Sequence, residues 1–313
     1  MLKENETLVT EFILLGFTKR REMKVFLFVM FLCLYIFTVL GNIAITLVTS
    51  LDSALHVPMY FFLRNLSFLE LCFTSVTIPN MLVTLYSEES RISFTGCAVQ
   101  LYFFLLFGVT ECFLLSVMSY DRYVAICIPL RYTTIMNKRV CIQLSAATCA
   151  VAIVVAAAHT SFMFTLPFCG SNVINHFFCE IQPLLELICD NTYWNELQVI
   201  VVAGMVLLLP FILILISYLQ IITTILKMRS AKSRYKTFST CSSHLIVVML
   251  FYGTALFMYI RPKSSYSMDT DKWISLSYSV ITPILNPIIY SLRNKEVKGA
   301  LQKLVANIFL TPK

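Results

Sequence analysis

The chain has 313 residues, of which 58% are hydrophobic and only 13% are charged. A soluble domain carries about 25% charged residues and needs that polar surface to stay dispersed. The composition therefore excludes a soluble enzyme and a DNA-binding domain. The net charge of +7 can indicate a partner only once the positions of the basic residues in the fold are known.

Seven long apolar segments follow one another along the chain. Each reaches the ~20 residues that a helix needs to cross ~30 Å of hydrocarbon. None shows the ~10-residue alternation typical of a membrane β-barrel. We therefore predict an all-α membrane protein, a seven-transmembrane helix bundle over residues 25–292. The predicted spans are 25–50, 58–86, 97–120, 140–166, 197–226, 238–260 and 273–292.

The two ends of the chain are predicted to lie outside the bundle. We expect residues 1–24 to form an extracellular tail, since the first apolar run is too long for a cleaved signal peptide. Asn5 begins an Asn-Glu-Thr triplet, a glycosylation acceptor that suits an outer location. Residues 293–313 place apolar side chains at helical spacing beside lysines, which predicts a short cytoplasmic amphipathic helix on the anionic inner leaflet.

The distribution of basic residues predicts the orientation. With the N-terminus outside, the inner segments carry fourteen Lys and Arg residues and the outer segments carry nine. The positive-inside rule then favours an outer N-terminus and an inner C-terminus. We expect a multi-pass protein of the plasma membrane.

Four cysteines lie on the predicted outer side, and an even number on the oxidising side suggests two disulfides. The sequence alone leaves three pairings open. These cysteines are Cys97, Cys169, Cys179 and Cys189.

Four motifs occur in order at specific positions of the predicted spans. Together they resemble vertebrate olfactory receptors, which belong to the rhodopsin-like class of G-protein-coupled receptors, and the resemblance covers nearly the whole chain from Gly41-Asn42 onward. The motifs are Pro58–Leu63 with Asn65–Ser67, Met118–Cys127, Lys236–Leu245 and Pro283–Asn294.

The resemblance implies the pairings Cys97–Cys179 and Cys169–Cys189. It also decides how to interpret His176, Cys179 and Glu180, which resemble a set of ligands for a soft metal such as copper. We favour the disulfide, because a sulfur in a disulfide is a poor metal ligand.

The resemblance also implies two signalling elements. In Asp121-Arg122-Tyr123 the carboxylate can hold the guanidinium until a G protein meets it. In Asn286, Pro287 and Tyr290 the proline removes a helical hydrogen bond and makes a hinge. The structural alternatives are a snorkelling anchor and a static kink. The expected partner is a G protein of the stimulatory or olfactory type, which raises cyclic AMP.

Glu70 and Glu111 are ionisable groups inside apolar helices, where charge is expensive and usually functional. Two close carboxylates either share a proton or hold a cation. The resemblance implies a sodium site with Asn42, Asn286 and Ser116 nearby; the alternative is a protonated acid that only joins helices. No other cofactor is expected.

The ligand is predicted to bind between the outer halves of spans three, five, six and seven. The lining holds no acid or base pair that would trap an amine, so we expect a small, mainly apolar volatile molecule. Core packing is an equally good interpretation of each residue taken singly. The predicted lining is Phe104, Leu105, Gly108, Val109, Cys112, Val202, Ala203, Val206, Tyr252, Ala255, Leu256, Tyr259, Leu276 and Ser279.

Other classes are less well supported. A proton- or cation-coupled transporter could use Glu70 and Glu111, but the inverted repeats of such proteins are missing. A retinal pump needs a lysine in the last span, and 273–292 has none. No Ser-His-Asp pattern, zinc motif or phosphate loop indicates an enzyme, and nothing indicates nucleic-acid binding.

Overall fold

The computed structural model describes residues 9–18, 20–87, 89–168, 171–189, 193–260, 268–293 and 295–310. These residues form a bundle of long helices joined by short ones, which confirms the predicted fold class. The helices are α1 (Arg21–Leu51), α2 (Pro58–Tyr86), α3 (Phe94–Cys127), α4 (Tyr132–Ile135), α5 (Lys138–Phe164), α6 (Ile181–Leu185), α7 (Tyr193–Lys227), α8 (Ala231–Ile260), α9 (Met268–Leu276), α10 (Thr282–Arg293) and α11 (Lys295–Leu310).

Within the described residues, six helices are long and apolar enough to cross a membrane: α1, α2, α3, α5, α7 and α8. Their outward faces carry large exposed apolar side chains, such as Val154, Leu209 and Leu219. Water would not tolerate so much apolar surface on a monomer, whereas lipid matches it. The chain is thus a multi-pass membrane protein.

The seventh span consists of α9 and α10, with a π-helical turn at Ser277–Ile281 between them. A π turn closes hydrogen bonds from i to i+5 and so fits one extra residue into the helix. The side chains that follow the turn therefore face a different side of the helix than they would in an uninterrupted α-helix. This turn was not predicted from the sequence.

A small sheet covers the outer end of the bundle. Its strands are β1 (Glu11–Leu14), β2 (Ser90–Ser93) and β3 (Val173–Ile174), in the order β2-β1-β3. Strand β1 pairs antiparallel with β2, with Glu11 opposite Ser93, and parallel with β3, with Ile13 opposite Val173. Most of the predicted tail that the structure describes is therefore structured, and its last residues, from Arg21 onward, already belong to α1.

The buried apolar side chains form an inner and an outer cluster. The inner cluster includes Leu66, Leu115 and Val247, and the outer one includes Phe12 and Phe178. Phe107 and Tyr259 contact both clusters. A cavity lies at this junction.

Helix α11 packs against the inner end of the bundle through the fully buried Val297. The Tyr60 hydroxyl donates a 2.7 Å hydrogen bond to Glu296 Oε2, which ties the start of α11 to α2. Lys298 and Lys303 lie on the exposed side of α11. An apolar face on the bundle with lysines opposite suits a helix that lies along the inner leaflet.

Candidate ligand-binding cavity and signalling elements

A cavity with about 670 Å³ of open space lies between α3, α5, α7, α8 and the π turn of the seventh span, and α2 and α6 contribute one residue each to its wall. Its walls are almost entirely apolar, which suits a small, mainly apolar ligand. Ten of the fourteen predicted residues line it: Phe104, Leu105, Gly108, Val109, Cys112, Val202, Ala203, Val206, Ala255 and Tyr259.

Two predicted residues of α8 do not line the cavity. Tyr252 is fully buried, and its hydroxyl donates a 2.6 Å hydrogen bond to the Cys112 carbonyl oxygen. Leu256 packs against the inner apolar cluster. The prediction placed both residues in the cavity together with Ala255 and Tyr259. Phe251, one turn before Ala255, lines the cavity instead.

Two predicted residues of the seventh span also lie elsewhere. Leu276 is buried in the outer apolar cluster. Ser279 is fully buried and its hydroxyl donates to the Ser275 carbonyl oxygen. The π turn changes which residues face inward, and Tyr278 lines the cavity in their place.

Eight lining residues were missed. Some continue the predicted helical faces: Val199 lies one turn before Val202 and Ala203, so spacing could have found it. Val155 and His159 lie on α5, which the prediction left out of the lining, and no motif indicated them. The missed residues are Phe73, Val155, His159, Ile181, Val199, Leu207, Phe251 and Tyr278.

The segment before α6 contacts the cavity wall through Glu180, which is bonded to Tyr259 and Tyr278, and Cys179 fixes the segment in place. Cys179 forms a disulfide with Cys97 at the start of α3, with 5.5 Å between the two Cα atoms. The predicted pairing is thus confirmed. Cys189 is also disulfide-bonded, whereas Cys169, its predicted partner, lies outside the described residues, as does Asn5.

Glu180, next to this disulfide, joins this segment to the bundle. Its carboxylate accepts hydrogen bonds from the hydroxyls of Tyr259 (3.0 Å), Ser275 (2.8 Å) and Tyr278. Burial raises the pKa of Glu180, and the hydrogen bonds from Tyr278, Ser275 and Tyr259 oppose that rise. One loop carboxyl group therefore links α8 to the seventh span directly above the cavity.

His176 lies beside Glu180, with 3.5 Å between His176 Nε2 and Glu180 Oε2. Burial, with a smaller contribution from the charge of Lys272, lowers the pKa of His176 to about 3. The imidazole is therefore neutral at physiological pH. In the described part of the chain, no three His, Cys, Asp or Glu side chains converge as metal ligands.

A polar cluster lies in the apolar interior below the cavity. The Asn286 amide donates a hydrogen bond to Glu70 Oε1. Several other buried atoms have no partner among the described residues: both amide atoms of Asn42, Glu70 Oε2, both carboxyl oxygens of Glu111 and Asn286 Oδ1. Ser116 is occupied, since its hydroxyl donates to the Phe113 carbonyl oxygen.

The inner end of α3 carries Asp121, Arg122 and Tyr123. Asp121 Oδ1 accepts a 2.9 Å hydrogen bond from the Tyr132 hydroxyl of α4. No ion pair joins Asp121 to Arg122 among the described residues. Asp121 anchors the loop helix and still interacts electrostatically with Arg122, and its role in holding the guanidinium stays a prediction.

The charge of Arg122 also interacts with Cys241 and His244 of α8. His244 Nδ1 makes a 2.8 Å hydrogen bond with the Tyr218 hydroxyl of α7. Tyr123 is half-buried and its ring lies 6.2 Å from that of Tyr120. Helices α3, α7 and α8 therefore meet around Arg122.

In the seventh span, Pro287 lies against α1. A Cβ atom placed on Gly41 would lie 3.0 Å from Pro287 Cβ. The proline is packed closely at this point, and Asn286 beside it faces the polar cluster. Tyr290 is on the same helix, but its side chain lies outside the described residues.

A seven-helix membrane bundle with an apolar cavity near its outer end and an Asp-Arg-Tyr motif at its inner end defines a receptor of the rhodopsin-like, G-protein-coupled class. A family model described as olfactory receptor matches residues 31–308. The chain belongs to the olfactory receptor family.

Individual relatives agree over nearly full length. Olfactory receptor 10A7 of Homo sapiens is 55% identical over 97% of this chain and 96% of the relative. Olfactory receptor 10C1 of Homo sapiens is 55% identical over 97% of each chain. Olfactory receptor 8U9 of Mus musculus is 51% identical over 98% of each chain.

Family membership confirms the resemblance that the four motifs predicted, and it confirms that the protein is not an enzyme. It identifies an odorant receptor that acts through G proteins. It favours this function over the transporter that Glu70 and Glu111 could have served.

Proposed function

We propose that the cavity beneath Glu180 binds a small, mainly apolar odorant at the plasma membrane, and that binding activates a stimulatory, olfactory-type G protein. The observation that carries the proposal is the apolar lining contributed by seven helical segments, next to a loop that a disulfide and a carboxyl group hold in place. A ligand acts by its differential affinity for the inactive and active arrangements. Contacts between the ligand and residues of α8 and the π turn couple the cavity to α8 and the seventh span, the segments whose positions differ between the two arrangements.

The two ends of the receptor are connected through α3 and α8. Tyr252 of α8 is hydrogen-bonded to the Cys112 carbonyl of α3, immediately below the cavity. Farther inward, Arg122 of α3 acts on His244 of α8. A shift of α8 caused by a ligand therefore changes the surroundings of Arg122, whose five N–H donors then become available to the G protein.

The test measures cyclic AMP in cells that display the receptor and are exposed to a panel of small volatiles. A response should be lost in Ala203→Leu, because the added side chain fills the cavity. Gly204→Leu is the matched control, since a Cβ atom there meets nothing within 4 Å. If Ala203→Leu responds like the wild type to every active volatile, the odorant binds elsewhere.

A second variant tests the inner end. Arg122→Ala should abolish the cyclic AMP response while leaving surface display intact. A full response from this variant would contradict the role of Arg122. A response through a different second messenger would contradict the choice of G protein but not the cavity.

We also propose that the polar cluster below the cavity holds a sodium ion. The residues fit such an ion, because carboxylate and amide oxygens are the donors that hard cations prefer, and five buried oxygens, two on Glu111 and one each on Asn42, Glu70 and Asn286, lack partners among the described residues. Sodium chloride should then raise the unfolding temperature of the purified receptor relative to choline chloride, and Glu111→Gln should remove the difference. Equal unfolding temperatures for the wild type would favour a shared proton.

A further inference from the structure

A second large cavity opens at the inner edge of the bundle, away from the odorant cavity. It holds about 790 Å³ of open space and lies between the end of α1 and the starts of α2 and α5. We call it the basic groove, and define it by His56, Phe61, Arg64, Met136 and Lys138. The basic groove is separate from the region around Arg122 described above, because its lining contains none of the residues named there.

Among the described residues, the basic groove is lined by His56, Arg64 and Lys138 and by no carboxylate. Neither Arg64 nor Lys138 forms an ion pair within the described parts of the chain. The Arg64 guanidinium lies over the Phe61 ring, 5.5 Å from its centroid, and makes only a long 3.4 Å contact with Ser50 Oγ. The groove thus has positive charge without a matching negative group.

Arg64 is placed where an unneutralised charge is costly. It is six residues from the first residue of α2, so it lies about 9 Å along that helix, at 1.5 Å per residue. A guanidinium at this depth of a membrane helix needs either a partner or access to the lipid headgroups. Because the groove lies at the inner ends of α1, α2 and α5, headgroups of the inner leaflet would give the guanidinium that access.

The backbone adds to the positive potential. Helices α2 and α5 both begin at the groove, at Pro58 and Lys138. The N-terminal end of a helix carries a partial positive charge and favours an anion. Two such ends next to three basic side chains favour a ligand with more than one negative charge.

The lining of the groove also contains apolar side chains, among them the buried Met136 and the half-buried Phe61, and we call these two its apolar floor. A free phosphate would gain nothing from this surface, whereas a lipid can place its headgroup on the cations and its glycerol and first methylenes on the floor. We propose that the basic groove binds one phospholipid of the inner leaflet whose headgroup carries several phosphates, with Arg64 and Lys138 as its principal contacts.

The experiment is native mass spectrometry of the purified full-length receptor with phosphatidylinositol bisphosphate or phosphatidylcholine. The wild type should retain one molecule of the bisphosphate lipid in preference to phosphatidylcholine. Arg64→Gln with Lys138→Gln should weaken that retention about tenfold or more, since each cation near the membrane surface contributes on the order of 1 kcal/mol. The control, Lys227→Gln with Arg229→Gln, removes two cations from another inner segment and should change retention less than about twofold.

A single variant guards against loss of folding. Lys138 is exposed at the first position of α5, where an acidic residue is favourable for the helix. Lys138→Glu should therefore keep the unfolding temperature and still weaken lipid retention.

Three results would overturn the proposal. One is retention by the groove variants equal to that of the wild type. Another is an equal loss in the control variant, since binding would then follow net charge alone. The third is displacement of the lipid by an equimolar amount of soluble inositol trisphosphate, because the apolar floor would then contribute nothing.

Discussion

Glu180 accepts three hydroxyl hydrogen bonds, two of them from tyrosines of different helices. Removing one donor leaves a buried carboxyl oxygen with less compensation for its lost hydration. Tyr278→Phe should therefore lower the free energy of unfolding by about 1–3 kcal/mol. The measurement is thermal unfolding of the purified receptor in detergent.

Tyr35→Phe is the matched control for this substitution. The Tyr35 hydroxyl contacts Ser75 Oγ at 3.1 Å on an exposed face, where the hydroxyl is not trapped among buried groups. Its loss should lower the free energy of unfolding by less than about 1 kcal/mol. Equal effects of the two substitutions would contradict the importance of Glu180.

His176 gives the outer end a predictable dependence on pH. Its pKa is about 3 in the folded protein, against 6.5 ordinarily, so below pH 6.5 the unfolded chain binds a proton that the folded chain excludes. The free energy of unfolding should thus fall as the pH falls, with a slope that approaches about 1.4 kcal/mol per pH unit. Glu180 acts in the opposite direction, because its raised pKa makes protonation favour the folded state.

The two contributions can be separated by recording unfolding temperatures from about pH 7.5 to about pH 5 in matched variants. His176→Gln should reduce the loss of stability at low pH, and Glu180→Gln should increase it. A wild-type unfolding temperature that rises steadily on acidification, unchanged in His176→Gln, would show that the imidazole is not buried as described.

At the scale of elements, the contact between α1 and α10 depends on a missing side chain. Gly41 lets Pro287 approach so closely that even a Cβ atom would lie 3.0 Å away. Gly41→Leu should force the two helices apart and lower the free energy of unfolding by about 1–3 kcal/mol.

The control for this substitution is Gly253→Leu on α8. A Cβ atom at Gly253 meets nothing within 4 Å, and leucine is a better helix former than glycine by about 1 kcal/mol. Surface display and unfolding temperature should fall for the Gly41 variant and be maintained for the Gly253 variant. The same fall in both would mean that the α1–α10 approach is not special.

Hydrophobicity and helical spacing predicted most of the elements and most of the cavity. Gly108, Cys112 and Ala203 were found because each continues a face of a long, regular helix. Ser279 was placed in the cavity wrongly because no residue pattern predicts a π turn. The position of such a turn depends on how the seventh span packs. His159 was missed because one polar residue in an apolar helix gives no direction to its side chain.

At the scale of the whole molecule, the disulfide between Cys97 and Cys179 joins two residues that are 82 positions apart in sequence. A link across so long a loop removes much freedom from the unfolded chain, so Cys179→Ala should cost about 2–5 kcal/mol. We expect loss of surface display on intact cells.

Cys149→Ala is the control, because Cys149 is an exposed free cysteine. Normal display of Cys179→Ala, or an equal loss in Cys149→Ala, would contradict the structural role of the disulfide.

The outer sheet shows what the sequence could not reveal at this scale. Its three strands come from the N-terminal segment and two distant loops, and each has only two to four residues. Strands that short carry no recognisable alternation, and their pairing is set by the positions of the helices to which the loops belong.

Strand β1 is the middle strand of that sheet, and this imposes an order of assembly. The first strand to leave the ribosome can pair on both sides only after α2, α3 and α5 have been made and β3 has followed them. Strand β1 is thus one of the last parts of the outer face to reach its final neighbours. A fusion partner joined ahead of β1 leaves both of these pairings free to form. A partner inserted within Glu11–Leu14 would interrupt β1 and so remove the strand that joins β2 to β3.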